Sequence, residues 1–178
     1  MASIASADIG VNFRIHETST IDPTRLRAVR NVLGNTGFAK KLKNGTSNGQ
    51  IDKGYMIPIT IGASATLSYD VNAGGLVDAE GTGISLAELV GMILINFNTA
   101  GSVTMRQPAA NGVAGVFNGA NAGLIAPAAL GPTDPGIGLW YGPAGVAVVA
   151  ATGDLVELVN NDASNGSSVY WGFIGRSA

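Results

Sequence analysis

Apolar and polar residues alternate along much of the chain beyond residue 54, which is the pattern of half-buried β-strands. The alternation is clearest at 65–71, where Leu67, Tyr69 and Val71 would share one face and polar side chains the other. Such segments recur at intervals of about ten residues and are separated by Gly, Asn and Pro, which favour turns. The strand candidates are 55–61, 65–71, 92–97, 103–107, 113–117, 123–126, 138–141, 146–151, 154–160 and 169–174.

Two segments carry a helical signal beside the strand signal. Residues 86–97 have apolar side chains at helical spacing, but β-branched residues and an internal glycine favour a strand over 92–97. Asp22 and Pro23 are typical of a helix start, so a short helix that ends at Gly34 is predicted there. The apolar positions of that segment also permit a strand.

The spacing of the strands predicts an all-β fold, an antiparallel β-sandwich of the jelly-roll type, over residues 54–178. The turn cluster at 44–49 closes a preceding segment, and residues 1–53 are predicted to form an extended N-terminal arm. Pro58 restricts its strand to an edge or a bulge. Both faces of 169–174 are apolar, so this strand is predicted to be central and covered on both sides.

Composition narrows the class of protein. Of the 178 residues, 46% are hydrophobic and only 12% are charged, which excludes an intrinsically disordered chain. The 26 glycines argue against a helix bundle, and the absence of Cys excludes disulfides and thiolate zinc sites. The longest apolar run, 84–97, is shorter than a membrane helix of about 20 residues. With no signal sequence visible, we expect a soluble chain made in a cytoplasm, without a membrane partner.

Charge is divided unevenly along the chain. Residues 1–53 hold eight basic and four acidic residues, whereas the remainder holds two basic and eight acidic residues. The arm therefore folds back on its own acidic domain or docks on an acidic surface of another subunit. The basic residues are few and lack interleaved aromatics, so we expect no nucleic acid partner. The candidate partner contacts in the arm are Arg14, Arg25, Arg27, Arg30, Lys40, Lys41 and Lys43.

The segment 130–143 contains a second candidate contact. Trp140 and Tyr141 are flanked there by Pro and Gly, an arrangement typical of an exposed loop with rigid aromatic anchors. The alternative is that Trp140 closes the end of the sandwich core.

The residues offer little for catalysis. His16 is the only histidine and lies in the polar arm, away from any nucleophile motif. The loop oxygens at 78–80 and 160–162 are interpreted as turn caps, because neither segment has the ligand series of a calcium loop. We therefore predict a protein that is not an enzyme, with no catalytic, cofactor-binding or metal-binding residues and no cofactor.

A set of segments follows one another in a recognisable order. They are 44–53 (NGTSNGQIDK), 61–71 (IGASATLSYDV), 75–81 (GLVDAEG), the run through Ile95 and Asn96, 149–160 (VAATGDLVELVN) and 170–178 (YWGFIGRSA). This order resembles a group of small tailed-bacteriophage virion proteins that end in a strand followed by Ile-Gly-x-Ser. The basic arm and Trp171-Gly172-Phe173 depart from that pattern.

The resemblance implies a structural component of the virion, a capsid decoration or cement protein with a β-sandwich, and it brings no catalytic residues with it. We expect such a protein to bind the major capsid protein on the capsid surface, as a homotrimer, after assembly in the host cytoplasm. The alternative is a tail fibre, spike or neck component that binds host glycans through Trp140 and Tyr141.

Overall fold

Short runs rich in Val, Ile, Leu and Thr, separated by Gly and Asn, form β-strands throughout the described part of the chain. The computed structural model describes residues 6–11, 14–18, 26–31, 38–72, 76–77, 83–131 and 133–177, and these residues form strands and no helix. The strands are β1 (Ser6–Val11), β2 (Arg14–Thr18), β3 (Leu26–Asn31), β4 (Phe38–Asn44), β5 (Gln50–Ile51), β6 (Lys53–Ile61), β7 (Thr66–Asp70), β8 (Leu76–Val77), β9 (Gly83–Ile84), β10 (Glu88–Asn96), β11 (Val103–Arg106), β12 (Gly123–Ala126), β13 (Gly136–Ala147), β14 (Leu155–Asn160) and β15 (Ser167–Arg176).

The first compact unit spans Ser6–Lys43. Within it, β1 pairs with β4 and β2 pairs with β3, both antiparallel. Of the two alternatives for the segment after Asp22, the helix is wrong and the strand is confirmed, because Leu26–Asn31 forms β3 in register with β2. Strand pairing here overrides the local capping signal, whose residues Asp22 and Pro23 lie outside the described part of the chain.

The second unit, which includes 44–178, contains two four-stranded antiparallel sheets. Sheet one has the strand order β13-β10-β15-β6, and sheet two has the order β12-β11-β14-β7. Pro58 lies in β6 at an edge of sheet one, as predicted from the missing amide hydrogen of proline. The β-sandwich predicted from the alternation is confirmed.

The pairing of the eight sandwich strands defines a jelly roll. In chain order the first strand pairs with the last, the second with the seventh, the third with the sixth and the fourth with the fifth. The corresponding pairs are β6–β15, β7–β14, β10–β13 and β11–β12. The chain therefore behaves as one long hairpin that rolls up, and the contacts β10–β15 and β11–β14 complete the two sheets.

The core lies between the two sheets and is made of alternate residues of each strand. Trp171 is fully buried on β15, with its ring 5.3 Å from Phe173 on the same strand and 5.0 Å from Tyr69 on β7. Leu94 and Leu158 are completely buried beside them. The contact between Trp171 and Tyr69 joins sheet one to sheet two at the centre of the core.

The run at 86–97 forms a strand rather than a helix, as predicted, and β10 is central in sheet one. The strand predicted at 113–117 is wrong. Val113 and Val116 are buried against the core, but they belong to a turn in which Gly115 has a φ of 91°. A loop can bury apolar side chains as a strand does, so the sequence pattern does not distinguish the two.

The separate strands predicted at 138–141 and 146–151 are also wrong, since one strand, β13, runs from Gly136 to Ala147. Tyr141 lies opposite Gly91 and Val146 lies opposite Leu89, so four residues of β13 bulge out against a single residue of β10. The Pro and Gly residues of this segment therefore mark a bulge within a strand and not a connection between two strands.

Candidate interaction surface

The backbone places the predicted basic contacts on three strands of the first unit. Lys41 and Lys43 of β4 lie opposite Asp8 and Ser6 of β1, and Lys40 lies opposite Ile9. Arg14 is in β2, and Arg27 and Arg30 are in β3, where Arg30 lies opposite Ile15. Arg25 lies outside the described residues. The basic positions are thus divided between the β1–β4 pair and the β2–β3 pair.

Trp140 and Tyr141 lie in β13 and not in an exposed loop, which corrects that part of the expectation. Trp140 lies opposite the buried Met92 and is half-buried against the core. It therefore closes the end of the sandwich core, which was the alternative prediction. Its indole ring covers the backbone of Gly142, where a Cβ atom would lie 2.9 Å from the ring. Tyr141 faces the opposite side of the sheet, and its partial burial raises the pKa of its hydroxyl.

Four rows of residues on the outward side of sheet one carry no charge, and the Glu88–Arg176 ion pair lies on the same side beyond them. Because Met92, Leu94, Trp171 and Phe173 point into the core, the residues that alternate with them face outward. The aligned outward rows across β13, β10, β15 and β6 are Tyr141–Gly91–Ile174–Gly54, Leu139–Ile93–Gly172–Met56 and Ile137–Ile95–Tyr170–Pro58, followed by Phe97, Ser168 and Thr60. We call these residues the outer face.

One half of the outer face is exposed. Ile137, Tyr170, Met56 and Phe97 are the exposed large apolar side chains on it. The rings of Phe97 and Tyr170 meet edge to face with centroids 5.7 Å apart and form a ridge. An open groove of about 400 Å³ lies beside that ridge and is lined also by Pro58, Thr60 and Ser168. An exposed apolar patch of this kind on a folded protein is a candidate binding surface.

The sequence interpretation missed this surface for a specific reason. It correctly recognised that both faces of 169–174 are apolar and correctly predicted a central strand. It then assigned both faces to burial, whereas Tyr170 is 43% exposed. Coverage on both sides is therefore wrong for the first half of β15. The signal that could have revealed the surface is the outward series Tyr170, Gly172 and Ile174 facing Ile93 and Ile95, a second apolar face without charge.

The C-terminal residues that carry the resemblance have a structural role in this fold. The guanidinium of Arg176 is buried and donates hydrogen bonds to Glu88 and to the carbonyl oxygens of Ser47, Gln50 and Ala144. It therefore ties the turn before β5, strand β10 and the bulge of β13 to the last strand.

Ser177 extends this anchor to a neighbouring carboxylate. Its backbone N–H donates to Asp52 at 2.8 Å, and its hydroxyl donates to the same side chain. The serine of the Ile-Gly-x-Ser segment is therefore held at the corner between β5 and β6.

Carbonyl, carboxamide and carboxylate oxygens cluster where β14 ends, and they are used for turn formation. Asn160 is buried, donates to the carbonyls of Gly62 at 2.9 Å and Asn165 at 2.8 Å, and accepts from Ser167 at 2.9 Å. Asp162 accepts from the backbone N–H of Ser164 and from Asn165, and these hydrogen bonds lower the pKa of its carboxyl. The predicted turn-capping role is confirmed for 160–162, whereas 78–80 lies outside the described residues.

Within the described ranges, no three metal-ligating side chains come together, and no helix is long and apolar enough to cross a membrane. His16 occupies a position in β2 opposite Val29. Comparison of the chain with protein-family models, curated proteins and solved structures finds no match. Any functional argument therefore depends on the fold and on the outer face.

Proposed function

We propose that this protein is a non-enzymatic structural component of a tailed-phage virion, a capsid decoration protein that binds the major capsid protein on the outside of the head. The observation that carries the proposal is the outer face, a four-strand apolar surface on a jelly-roll body. Such a surface suits a protein whose work is to contact other proteins, and the jelly roll is an architecture that viral capsid proteins use.

The structure supports a mechanical role for the sandwich. Its strands are joined by ladder hydrogen bonds across two sheets, and its loops are fixed by buried groups such as Asn160 and Arg176. A stiff body of this kind bridges neighbouring subunits without deforming. On a shell, each contact is repeated many times by symmetry, so a modest affinity per copy is sufficient.

The basic positions of the first unit supply the proposed contact with an acidic surface of the capsid. The test is charge reversal at Lys40, Lys41 and Lys43 together in the full-length chain, with Lys53→Glu in the sandwich as the control. Binding is measured by co-sedimentation with heads assembled without the protein. We expect the triple variant to lose most binding and the control to retain it, because desolvated or clustered charge pairs carry more binding energy than a remote charge.

Equal binding by the triple variant and the control would contradict the proposed contact. Absence of wild-type binding at every concentration would contradict the decoration role itself. Turnover of a substrate that disappears on replacing one carboxylate, such as Asp154→Asn, would contradict the non-enzymatic assignment.

A second candidate function is a tail fibre, spike or neck component that binds a host glycan. It is favoured by Trp140, a partly buried tryptophan on the edge strand β13, and lectins also use the jelly roll. Binding on a glycan array that is lost with Trp140→Ala and kept with Ile125→Ala would support it. In that case the protein would also occur in a few copies at the tail rather than in many over the head.

A further inference from the structure

We propose that the outer face of sheet one is the surface through which two copies of this chain pair, related by a two-fold axis. The pairing goes beyond the proposed function and puts a two-fold pair in place of the homotrimer expected from the resemblance. It rests on the geometry of the sheet, so it holds or fails independently of where in a virion the protein works.

The charge of the outer face points to a second copy as the occupant. None of its residues is charged, although the sandwich carries acidic residues on other surfaces, among them Asp134 and Glu157. When a surface meets its own copy across a two-fold axis, each charge near the axis faces a like charge. A face without charge avoids that repulsion, and it offers no complement to an acidic or a basic partner.

The relief of the outer face is compatible with self-pairing. The Phe97–Tyr170 ridge and the groove beside it, which Pro58 and Thr60 line, lie next to each other on one surface. If the two-fold axis runs between the ridge and the groove, the ridge of each copy lies over the groove of the other copy. The side chains of Ile93 and Met56 fill the space over Gly172 in the central strand, so the middle of the face is apolar, and two pleated sheets stack about 10 Å apart.

The size of the outer face meets the lower limit for a specific pair. Four strands about 4.8 Å apart and four rows about 6.8 Å apart cover about 500 Å². A pair that used all four rows would bury about 1,000 Å² together, at the low end for specific interfaces, and the exposed half alone would bury about half of that area. A closed trimer needs two different complementary patches on each chain. The other exposed large apolar residues of the described sandwich, Ile125, Leu130 and Val149, are dispersed.

The absence of cysteine makes a direct test available, because one introduced thiol has no competitor in the chain. Tyr170→Cys and Ile137→Cys place the thiol on the outer face, and Ile125→Cys places it on β12 of sheet two. Ile137 and Ile125 are a matched pair, being 54% and 58% exposed. Each full-length variant is treated with a short bis-maleimide cross-linker at micromolar to millimolar protein, and its mass is read on a denaturing gel.

We expect two-chain products from Tyr170→Cys and Ile137→Cys, at least tenfold more abundant than from Ile125→Cys. Equal cross-linking at the three positions would overturn the proposal, as would its absence from both outer-face variants. A cysteine at these exposed positions removes little buried contact, and circular dichroism verifies that each variant retains the β-spectrum of the wild type.

A second measurement uses the cysteine-free chain. Light scattering and sedimentation of the wild type should show a concentration-dependent shift from one chain of 17.9 kDa to two. Ile137→Lys should weaken this association at least tenfold, whereas Ile125→Lys should leave it unchanged. A single-chain mass at all concentrations, or a three-chain mass, would overturn the pairing. Pairing without head binding would contradict only the decoration role, and head binding by a single chain would contradict only the pairing.

Discussion

Arg176 offers the sharpest test of how this fold is held together. Its side chain is 1% exposed, and its hydrogen bonds reach Glu88, two carbonyl oxygens at the turn into β5 and one carbonyl oxygen in the bulge of β13. Replacement by methionine keeps most of the apolar stem and removes the guanidinium. The four acceptors then lose their shared donor.

The expected loss of stability depends on how deeply the charges of Arg176 and Glu88 are buried. Breaking a fully buried ion pair costs about 3–5 kcal/mol, and an exposed pair contributes about 0–1 kcal/mol. The Glu88 side chain is 40% exposed and is rehydrated when its partner is lost, so the full cost is not reached. The carbonyls of the Ser47 turn and the Ala144 bulge lose charge-assisted hydrogen bonds as well. We therefore expect Arg176→Met to lower the free energy of unfolding by about 3 kcal/mol.

Urea unfolding followed by tryptophan fluorescence measures this loss, since both tryptophans, Trp140 and Trp171, lie in sheet one. At about 2–4 °C per kcal/mol for a chain of this size, the melting temperature should fall by about 6–12 °C. The control is Arg106→Met. Arg106 also pairs with one carboxylate, that of Glu157 at 2.8 Å, but its side chain is 29% exposed. A loss from Arg176→Met no larger than that from Arg106→Met would refute the reasoning.

Three further changes test the same structure. In a thermal melt, Gly145→Ala should destabilise the sandwich by about 2 kcal/mol or more, because the φ of 78° disfavours a side chain and a Cβ atom would collide with the guanidinium of Arg176. The control, Gly131→Ala, should be near neutral, because there is open space around Gly131. Asn160→Ala should lower the free energy of unfolding by about 2–4 kcal/mol, since several buried hydrogen bonds lose their partner, whereas the exposed Asn161→Ala should cost about 1 kcal/mol or less by urea titration. The carboxylate of Asp162, which accepts hydrogen bonds from Ser164 and Asn165, should titrate by NMR with a pKa below 3.8. Its contribution to stability is then present above pH 3.8 and is lost as the pH falls through the lowered pKa. A titration midpoint at or above 3.8 would contradict the hydrogen bonds to this carboxylate.

The strands were predictable from the sequence where apolar and polar residues alternate regularly. At 66–70 the alternation of Leu67 and Tyr69 with polar residues corresponds to burial on one side of a sheet, and β7 forms there. Prediction failed where apolar residues were buried without a strand, as at Val113 and Val116. It failed also where one strand continued through a Pro and Gly bulge, as in β13.

The candidate contact residues, like the strands, were predictable from the sequence only in part. The sequence singles out Trp140 and Tyr141 as a candidate contact, but it does not show that these two neighbours face opposite sides of a sheet. Arg176 belongs to the terminal motif, but its structural role could not be predicted from the sequence. Its four hydrogen-bond acceptors are 32 to 129 residues away along the chain.

The sequence by itself determined the class of the fold, because strand formation here follows from side-chain period, turn residues and the scarcity of helix signals. Only the tertiary structure decided that the first strand pairs with the last, and so which apolar face enters the core and which remains outside. Residues such as Ile95 and Tyr170 are 75 positions apart and become neighbours only through that pairing. The outer face is therefore a property of strand register, which long-range contacts set and local composition does not.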